Sequence, residues 1–97
     1  MSEARFISAA FADLREAFDW YESQREGLGA DFLDAIDSAI ANALKNPAAY
    51  PLVYRDVRRI LVRRFPYGVY YRVLDEEILV IAVMHAAQHP RFHMERE

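Results

Sequence analysis

Apolar side chains in the first quarter of the chain recur with the spacing of an α-helix. Four of them form one stripe: Phe11, Leu14, Phe18 and Tyr21. Acidic side chains occupy the other side, so the pattern predicts an amphipathic helix over residues 9–24. Ser8 is expected to cap this helix, and residues 4–8 are interpreted as a short first strand.

A second helical stripe follows a glycine turn. Its apolar members are Phe32, Leu33, Ile36, Ile40, Ala43 and Leu44. Gly27 and Gly29 are expected to break the first helix, and Asp31 to lie in the first turn of the second, where its charge favours the helix dipole. Asn46 and Pro47 are expected to end the second helix. So short a connection predicts an antiparallel helical hairpin.

Strand-like patterns replace the helical period in the second half. Three strands are predicted, over residues 57–64, 69–74 and 78–84, with turns at 65–68 and 75–77. Residues 47–56 are predicted to be an irregular connector because Pro51 interrupts them. The order is (β)ααβββ, which indicates an α+β fold with a two-helix hairpin packed on a small, mostly antiparallel sheet.

The strand over residues 78–84 is apolar on both faces, which is typical of a strand covered on both sides. The helical hairpin can cover one side, and the other needs the C-terminal tail or a partner protein. Nine residues are expected to be buried between hairpin and sheet: Phe11, Leu14, Phe18, Phe32, Ile36, Ile40, Ile60, Val80 and Ala82.

Composition narrows the class of protein. A chain of 97 residues predicts one domain, over 1–97. The chain has no cysteine, which excludes disulfides and thiolate metal sites. No signal-peptide pattern is seen, and no segment approaches the roughly 18 apolar residues of a membrane span. We therefore expect a soluble, cytoplasmic protein that does not contact a membrane.

The charges are strongly segregated along the chain. Residues 1–54 carry four basic and nine acidic side chains, whereas residues 55–72 carry six arginines and one aspartate. Arginine favours planar, bidentate contacts with carboxylates or phosphates. The block therefore predicts a surface that binds an anionic group, although six arginines could also simply keep a strand edge soluble.

The chain resembles the RelE/ParE superfamily of toxins from type II toxin–antitoxin modules, the plasmid-stabilisation proteins. The resemblance runs along nearly the whole chain and rests on the order and spacing of short motifs. They are Trp20-Tyr21-Glu22, Gly27-Leu28-Gly29, Phe32-Leu33, Asn46-Pro47, Tyr50-Pro51, Val57-Arg58-Arg59, Arg64-Phe65-Pro66-Tyr67, Tyr70-Tyr71 and the apolar strand that closes in His85.

The resemblance implies a toxin that a cognate antitoxin neutralises, in a toxin–antitoxin hetero-oligomer or with a toxin homodimer. Relatives of the RelE type cleave messenger RNA on the ribosome, whereas those of the ParE type are associated with inhibition of DNA gyrase. Gln88 stands where arginine is common, and no tyrosine follows Tyr71. These departures favour a ParE-like toxin over a RelE-like endoribonuclease, and an inactive antitoxin-binding paralogue is a third reading.

The segregation of charge and the family resemblance together indicate the candidate site residues. His85, Arg64 and Arg72 are the candidates for catalysis, if the protein is an enzyme. Partner binding is expected to involve Arg58, Arg59, Arg64, Arg72, Arg91 and Phe92. The spacing of His85, His89 and His93 would suit a helical metal site, but Pro90 interrupts it. No metal and no cofactor is expected.

Overall fold

Two helices pack on one face of a five-stranded sheet in this computed structural model, which describes residues 3–88. The helices are α1 (Ser8–Gln24) and α2 (Leu28–Lys45), and a 3-10 turn (Pro47–Ala49) follows them. The strands are β1 (Glu3–Phe6), β2 (Leu52–Tyr54), β3 (Val57–Leu61), β4 (Tyr67–Leu74) and β5 (Glu77–His85). They lie in the order β1-β5-β4-β3-β2, and only β1 and β5 run parallel. The predicted α+β fold is confirmed.

Asp31 lies in the first turn of α2 as predicted, but the cap of α1 and the place of Gly29 differ from the prediction. Helix α1 already includes Ser8, and its N-cap is Ile7, with no side-chain hydrogen bond at the cap. Gly27 is the N-cap of α2 and has a φ of 88°, a left-handed conformation that glycine adopts without steric cost. Gly29 lies inside the first turn of α2, so only one of the two glycines separates the helices.

The buried side of α1 is displaced from the predicted stripe. Ala10, Ala17 and Tyr21 are buried, whereas the side chain of Phe11 is 61% exposed, so its predicted burial is wrong. Phe18 is only half-buried. The two alanines allow the helix axis to approach the sheet more closely than a row of phenylalanines would. Periodicity identifies an amphipathic helix, but its exact rotation depends on this packing.

A β-bulge in β5 distributes its apolar side chains between the two faces of the sheet. Tyr70 pairs with Ala82 and Tyr71 pairs with Val80, so Ile81 is the extra residue that the bulge inserts between these two pairs. Ile81 and Ala82 consequently pack in the same cluster, away from the helices. Ala82 is buried as predicted, but it lies on the side of the sheet opposite to the helical hairpin, which corrects its predicted location.

The second face of the sheet has a buried cluster of its own. Its members are Val57, Tyr70, Ile81, Ala82 and Met84, with Ile7, Val53 and Tyr54 packed against them. Each of the five is at most 3% exposed in the isolated chain. The apolar side chains of β5 therefore need no partner protein to remove them from water, contrary to one reading of the sequence.

The connector after α2 is more regular than predicted. Besides the 3-10 turn it contains β2, which pairs with β3. Pro51 lacks a backbone N–H, but its carbonyl accepts a hydrogen bond of 3.1 Å from the N–H of Arg59. The following strand is shorter than predicted and ends at Leu61, and Arg64 has a φ of 71° in the loop that leads to β4.

Within residues 3–88 no helix is both long enough and apolar enough to cross a membrane.

Candidate functional site

Arg58 belongs to the scaffold of the fold. Its Nη1 donates hydrogen bonds to the carbonyl oxygens of Ala48 (3.2 Å) and Tyr50 (2.7 Å). Its cross-strand neighbour Tyr71 donates its hydroxyl to the carbonyl of Pro47 at 2.6 Å. Burial raises the pKa of the Tyr71 phenol, and the nearby Arg58 charge opposes part of that rise. Together the two side chains fasten the connector to the sheet.

Arg59 and Tyr70 lie opposite each other on β3 and β4. The Nε of Arg59 and the hydroxyl of Tyr70 are buried, and neither has a hydrogen-bond partner within residues 3–88. Gly68 makes room for both, because a Cβ there would lie 3.0 Å from the ring of Tyr70 and 3.1 Å from the Arg59 stem. Buried donors without acceptors are rare in native proteins, so this enclosed pair is an unusual feature of the described part of the sheet.

Arg72 and Arg64, also predicted to bind a partner, differ in how closely a carboxylate pairs with the guanidinium. Arg72 donates from Nε to Oδ1 of Asp56 at 3.0 Å, and its side chain is 19% exposed. Arg64 is 70% exposed, and its Nη2 lies 3.9 Å from Oδ2 of Asp31, a distance at which a surface ion pair contributes at most about 1 kcal/mol. Arg64 is therefore the more accessible cation. We call Arg59 and Arg64 the arginine surface.

His85 ends β5 beside Tyr67. The centroids of the two rings are 5.7 Å apart, and the residues pair across the β4–β5 ladder. Nδ1 of His85 accepts a hydrogen bond of 3.1 Å from the N–H of Ala87. This contact places the proton of the neutral imidazole on Nε2, which leaves that nitrogen as the donor at the protein surface.

A cleft of about 730 Å³ lies between α1 and the end of β5 that carries His85. We call it the α1–β5 cleft. Its polar and aromatic lining consists of Asp13, Glu16, Trp20, Tyr21, Tyr67, His85 and Gln88. Burial raises the pKa of Tyr67, and the charges of Tyr21, Glu16 and Asp13 raise it further. The negative charge of this cleft comes from the carboxylates of Asp13 and Glu16 in its wall.

The structure does not bring the three catalytic candidates together. Arg72 pairs with Leu79, six residues before His85 on β5, which corresponds to roughly 20 Å along a strand. Arg64 lines a separate depression between α2 and β3, which His85 does not reach. One phosphate group could not contact Arg72 and His85 together, and the side chains beside His85 include carboxylates.

Several residues that the sequence raises as candidates for partner binding or for a metal site lie outside the part of the chain that the structure describes. These are Arg91 and Phe92, expected to bind a partner, and His89 and His93 of the histidine series. Among residues 3–88, no group of three or more histidines, cysteines and carboxylates could hold a metal ion.

Sequence reasoning missed the acidic wall of the α1–β5 cleft. The helical pattern places Asp13 and Glu16 on the solvated side of α1, and Trp20 belongs to one of the family motifs. Their spacing of three and then four residues places them on one side of a helix, so a shared surface could have been inferred. That this side faces the end of β5 depends on how the helix packs.

One toxin family matches almost the entire chain. The family described as "ParE toxin of type II toxin-antitoxin system, parDE" matches residues 5–90. Toxin ParE2 of Mycobacterium tuberculosis, in strains CDC 1551 / Oshkosh and ATCC 25618 / H37Rv, is 37% identical over 82 residues. These residues are 80% of this chain and 75% of that protein.

Two solved structures share the fold. The chromosomal ParDE TA system from P. aeruginosa matches with a TM-score of 0.73 and 21% identity, covering 88% of this chain and 96% of that one. The intact E. coli RelBE toxin–antitoxin complex matches with a TM-score of 0.64 and 23% identity, again covering 88% and 96%. At these identities the likeness is one of fold.

Proposed function

Because this chain belongs to the ParE toxin family of type II toxin–antitoxin systems, we propose that it acts by binding a target protein. DNA gyrase is the candidate target, and a cognate antitoxin neutralises the toxin. The chain would then need no catalytic residues, no metal and no cofactor, only surfaces that bind these two partners.

The separation of His85 from Arg72 carries this proposal. Cleavage of RNA by its own 2′-hydroxyl needs a base, an acid and a cation that stabilises charge on the phosphorus, all at one phosphate. His85 lies at one end of the β4–β5 ladder, opposite Tyr67, whereas Arg72 lies opposite Leu79, near the other end. A histidine beside Asp13 and Glu16 is also poorly placed to receive a phosphate.

The arginine surface is the proposed contact for the antitoxin. Both solved relatives with this fold come from toxin–antitoxin systems, which supports an antitoxin partner for this chain as well. Arg64 has a largely exposed guanidinium, and Arg59 is half-buried on β3. Carboxylates of an antitoxin segment that lies along β3 would pair with the exposed guanidinium of Arg64 and lower the cost of placing the half-buried Arg59 beside them. Arg72, already paired with Asp56, contributes less.

The decisive experiment compares two activities of the purified protein. We expect it to inhibit the supercoiling of relaxed plasmid by DNA gyrase and to leave a ribosome-translated message uncut in primer extension. Pre-incubation with the cognate antitoxin should restore supercoiling. His85→Ala and Arg72→Ala test the nuclease alternative, because a ribonuclease that used either side chain would lose its cuts in that variant.

Three other outcomes would contradict the proposal. Codon-phased cuts that disappear in His85→Ala or Arg72→Ala would identify a RelE-like, ribosome-dependent endoribonuclease. Full supercoiling together with an uncut message would identify an inactive paralogue that only binds antitoxin. Loss of supercoiling that the antitoxin cannot reverse would mean that the antitoxin does not block the surface that binds the target.

A further inference from the structure

We propose that the α1–β5 cleft is a second interaction surface, which binds an arginine-bearing segment of a partner protein. The arginine surface on β3 and the following loop attracts acidic groups. The α1–β5 cleft is lined by carboxylates and aromatic rings and fits the opposite charge. The inference concerns a different part of the molecule and does not require that the target be gyrase.

The negative charge of the cleft is held in position by the fold. Oδ2 of Asp13 accepts a hydrogen bond of 3.1 Å from the backbone N–H of Val83, which fixes this carboxylate at the rim of β5. Glu16 lies one turn further along α1 and is exposed to solvent. A guanidinium that enters the cleft can therefore meet one fixed and one adaptable carboxylate.

An exposed tryptophan forms the aromatic wall of the cleft. Trp20 is 57% exposed, and its ring packs edge-to-face on Tyr21 with 5.0 Å between centroids. Tyr21 in turn contacts Tyr67, with centroids 6.0 Å apart, so the indole rests on an ordered aromatic base. Tryptophan is the best aromatic partner for a cation, and the planar guanidinium of arginine stacks on such a ring.

The same features argue against a nucleic acid in this cleft. A base could stack on Trp20, but the attached phosphates would approach the carboxylates of Asp13 and Glu16. A bare metal ion is also a poor fit, because residues 3–88 contain no cluster of three or more suitable ligands. The volume of about 730 Å³ is within the range of roughly 300–1,000 Å³ for pockets that enclose small ligands, and it leaves space for one long side chain and its neighbours.

The test uses the intrinsic fluorescence of Trp20, because the chain contains one tryptophan. The full-length protein is titrated with the peptide acetyl-Gly-Arg-Gly-Arg-Gly-amide, and the same peptide with glutamate in place of arginine is the control. We expect a saturable change in fluorescence with the arginine peptide only. Higher salt should weaken this binding, because the cleft is open to solvent.

Matched variants assign the binding to the cleft. Glu16→Gln removes one charge from its wall and should weaken binding of the arginine peptide about threefold to tenfold. Asp34→Asn removes one charge from an exposed position on α2, outside the cleft, and should leave the affinity unchanged. Trp20→Leu should also weaken binding of the arginine peptide, which calorimetric titration measures because this variant has no tryptophan fluorescence. Circular dichroism checks that the Trp20→Leu protein is folded.

Several results would overturn the inference. These are no response to the arginine peptide, an equal response to the glutamate peptide, or an equal loss of affinity in Glu16→Gln and Asp34→Asn. A short uridine oligonucleotide that quenches Trp20 equally well in Glu16→Gln would indicate base stacking instead. Because the probe is a peptide, none of these results depends on whether the protein inhibits gyrase.

Discussion

The backbone N–H of Val83 donates a hydrogen bond of 3.1 Å to Oδ2 of Asp13, seventy residues earlier in the chain. Strand β1 pairs with β5 only as far as Phe6 and Val80, and no other strand among residues 3–88 pairs with this edge of β5 beyond that point. Helix α1 supplies the missing acceptor from a side chain. This bond connects the helical layer to the bulged half of β5.

Asp13→Ala is expected to lower the free energy of unfolding by about 1–3 kcal/mol, because it leaves the N–H of Val83 without its partner. Urea denaturation of the variant measures the loss. Asp19→Ala, at an exposed position of the same helix, is the matched control and should stay within about 0.5 kcal/mol of the wild type. Equal effects of the two changes would mean that the hydrogen bond contributes nothing.

Glu22 connects α1 with the start of α2. Its carboxylate accepts hydrogen bonds from the N–H groups of Gly27 at 3.0 Å and Gly29 at 2.9 Å. Removing this cap by Glu22→Ala should cost about 0.5–2 kcal/mol, since both donors lie at the N-terminus of α2. Glu26→Ala removes the same charge nearby and should have little effect. Thermal unfolding of the two variants distinguishes a cap from a general change of charge.

Phe32 and Phe11 provide a test of which aromatic residues form the core. Phe32 is fully buried, whereas Phe11 is 61% exposed. Phe32→Ala is expected to destabilise the protein by about 3–5 kcal/mol, a large share of the roughly 5–15 kcal/mol that stabilises a typical domain. Phe11→Ala should cost about 1 kcal/mol or less. Chemical denaturation measures both, and the reverse order would mean that α1 is rotated about its axis.

Two adjacent tyrosines should respond in opposite ways to loss of the hydroxyl. Tyr71 donates to the carbonyl of Pro47 at 2.6 Å, so Tyr71→Phe should cost about 1 kcal/mol at pH 8. The buried hydroxyl of Tyr70 has no partner within residues 3–88, so Tyr70→Phe should be neutral or stabilising. A larger loss in Tyr70→Phe would indicate that this hydroxyl is bonded in solution.

The raised pKa of the Tyr71 hydroxyl predicts that the protein loses stability at alkaline pH. Burial raises the pKa of Tyr71 above the ordinary value of 10.0, so the folded protein holds this proton more tightly than the unfolded chain does. The resulting stabilisation is complete below pH 10 and is lost as pH rises through the folded pKa. Denaturation midpoints from pH 8 to 11 should therefore fall less steeply in Tyr71→Phe than in the wild type, and parallel curves would contradict this assignment.

The arginine surface predicts the behaviour of the toxin–antitoxin complex. Reversing both of its charges, with Arg59→Glu and Arg64→Glu, should weaken antitoxin binding about tenfold or more at low salt, because carboxylates would then face carboxylates. The difference from the wild type should shrink as salt is raised. Reversing Arg5 on β1 and Arg15 on α1 changes the net charge equally and is the control. Unchanged affinity of the first variant would remove this surface from the interface.

The sequence by itself determined the class of fold, the positions of both helices and the family. Helical periodicity reports that one side of a segment is apolar, which is why α1 and α2 were located to within a few residues of Ser8–Gln24 and Leu28–Lys45. The family resemblance was confirmed because its motifs run along most of the chain. Charge segregation is equally a property of the sequence, and it identified Arg59 and Arg64 as candidates for binding.

Tertiary structure decided what depends on contacts between distant residues. The strand over residues 78–84 is apolar on both faces, so its sequence contains no alternation from which the bulge at Ile81 could be inferred. Strand β2 forms only because β3 pairs with it. The α1–β5 cleft exists because packing turns Asp13, Glu16 and Trp20 toward the end of β5. A helical pattern fixes the spacing of these side chains, whereas the partner that they face is chosen by the packing of the whole core.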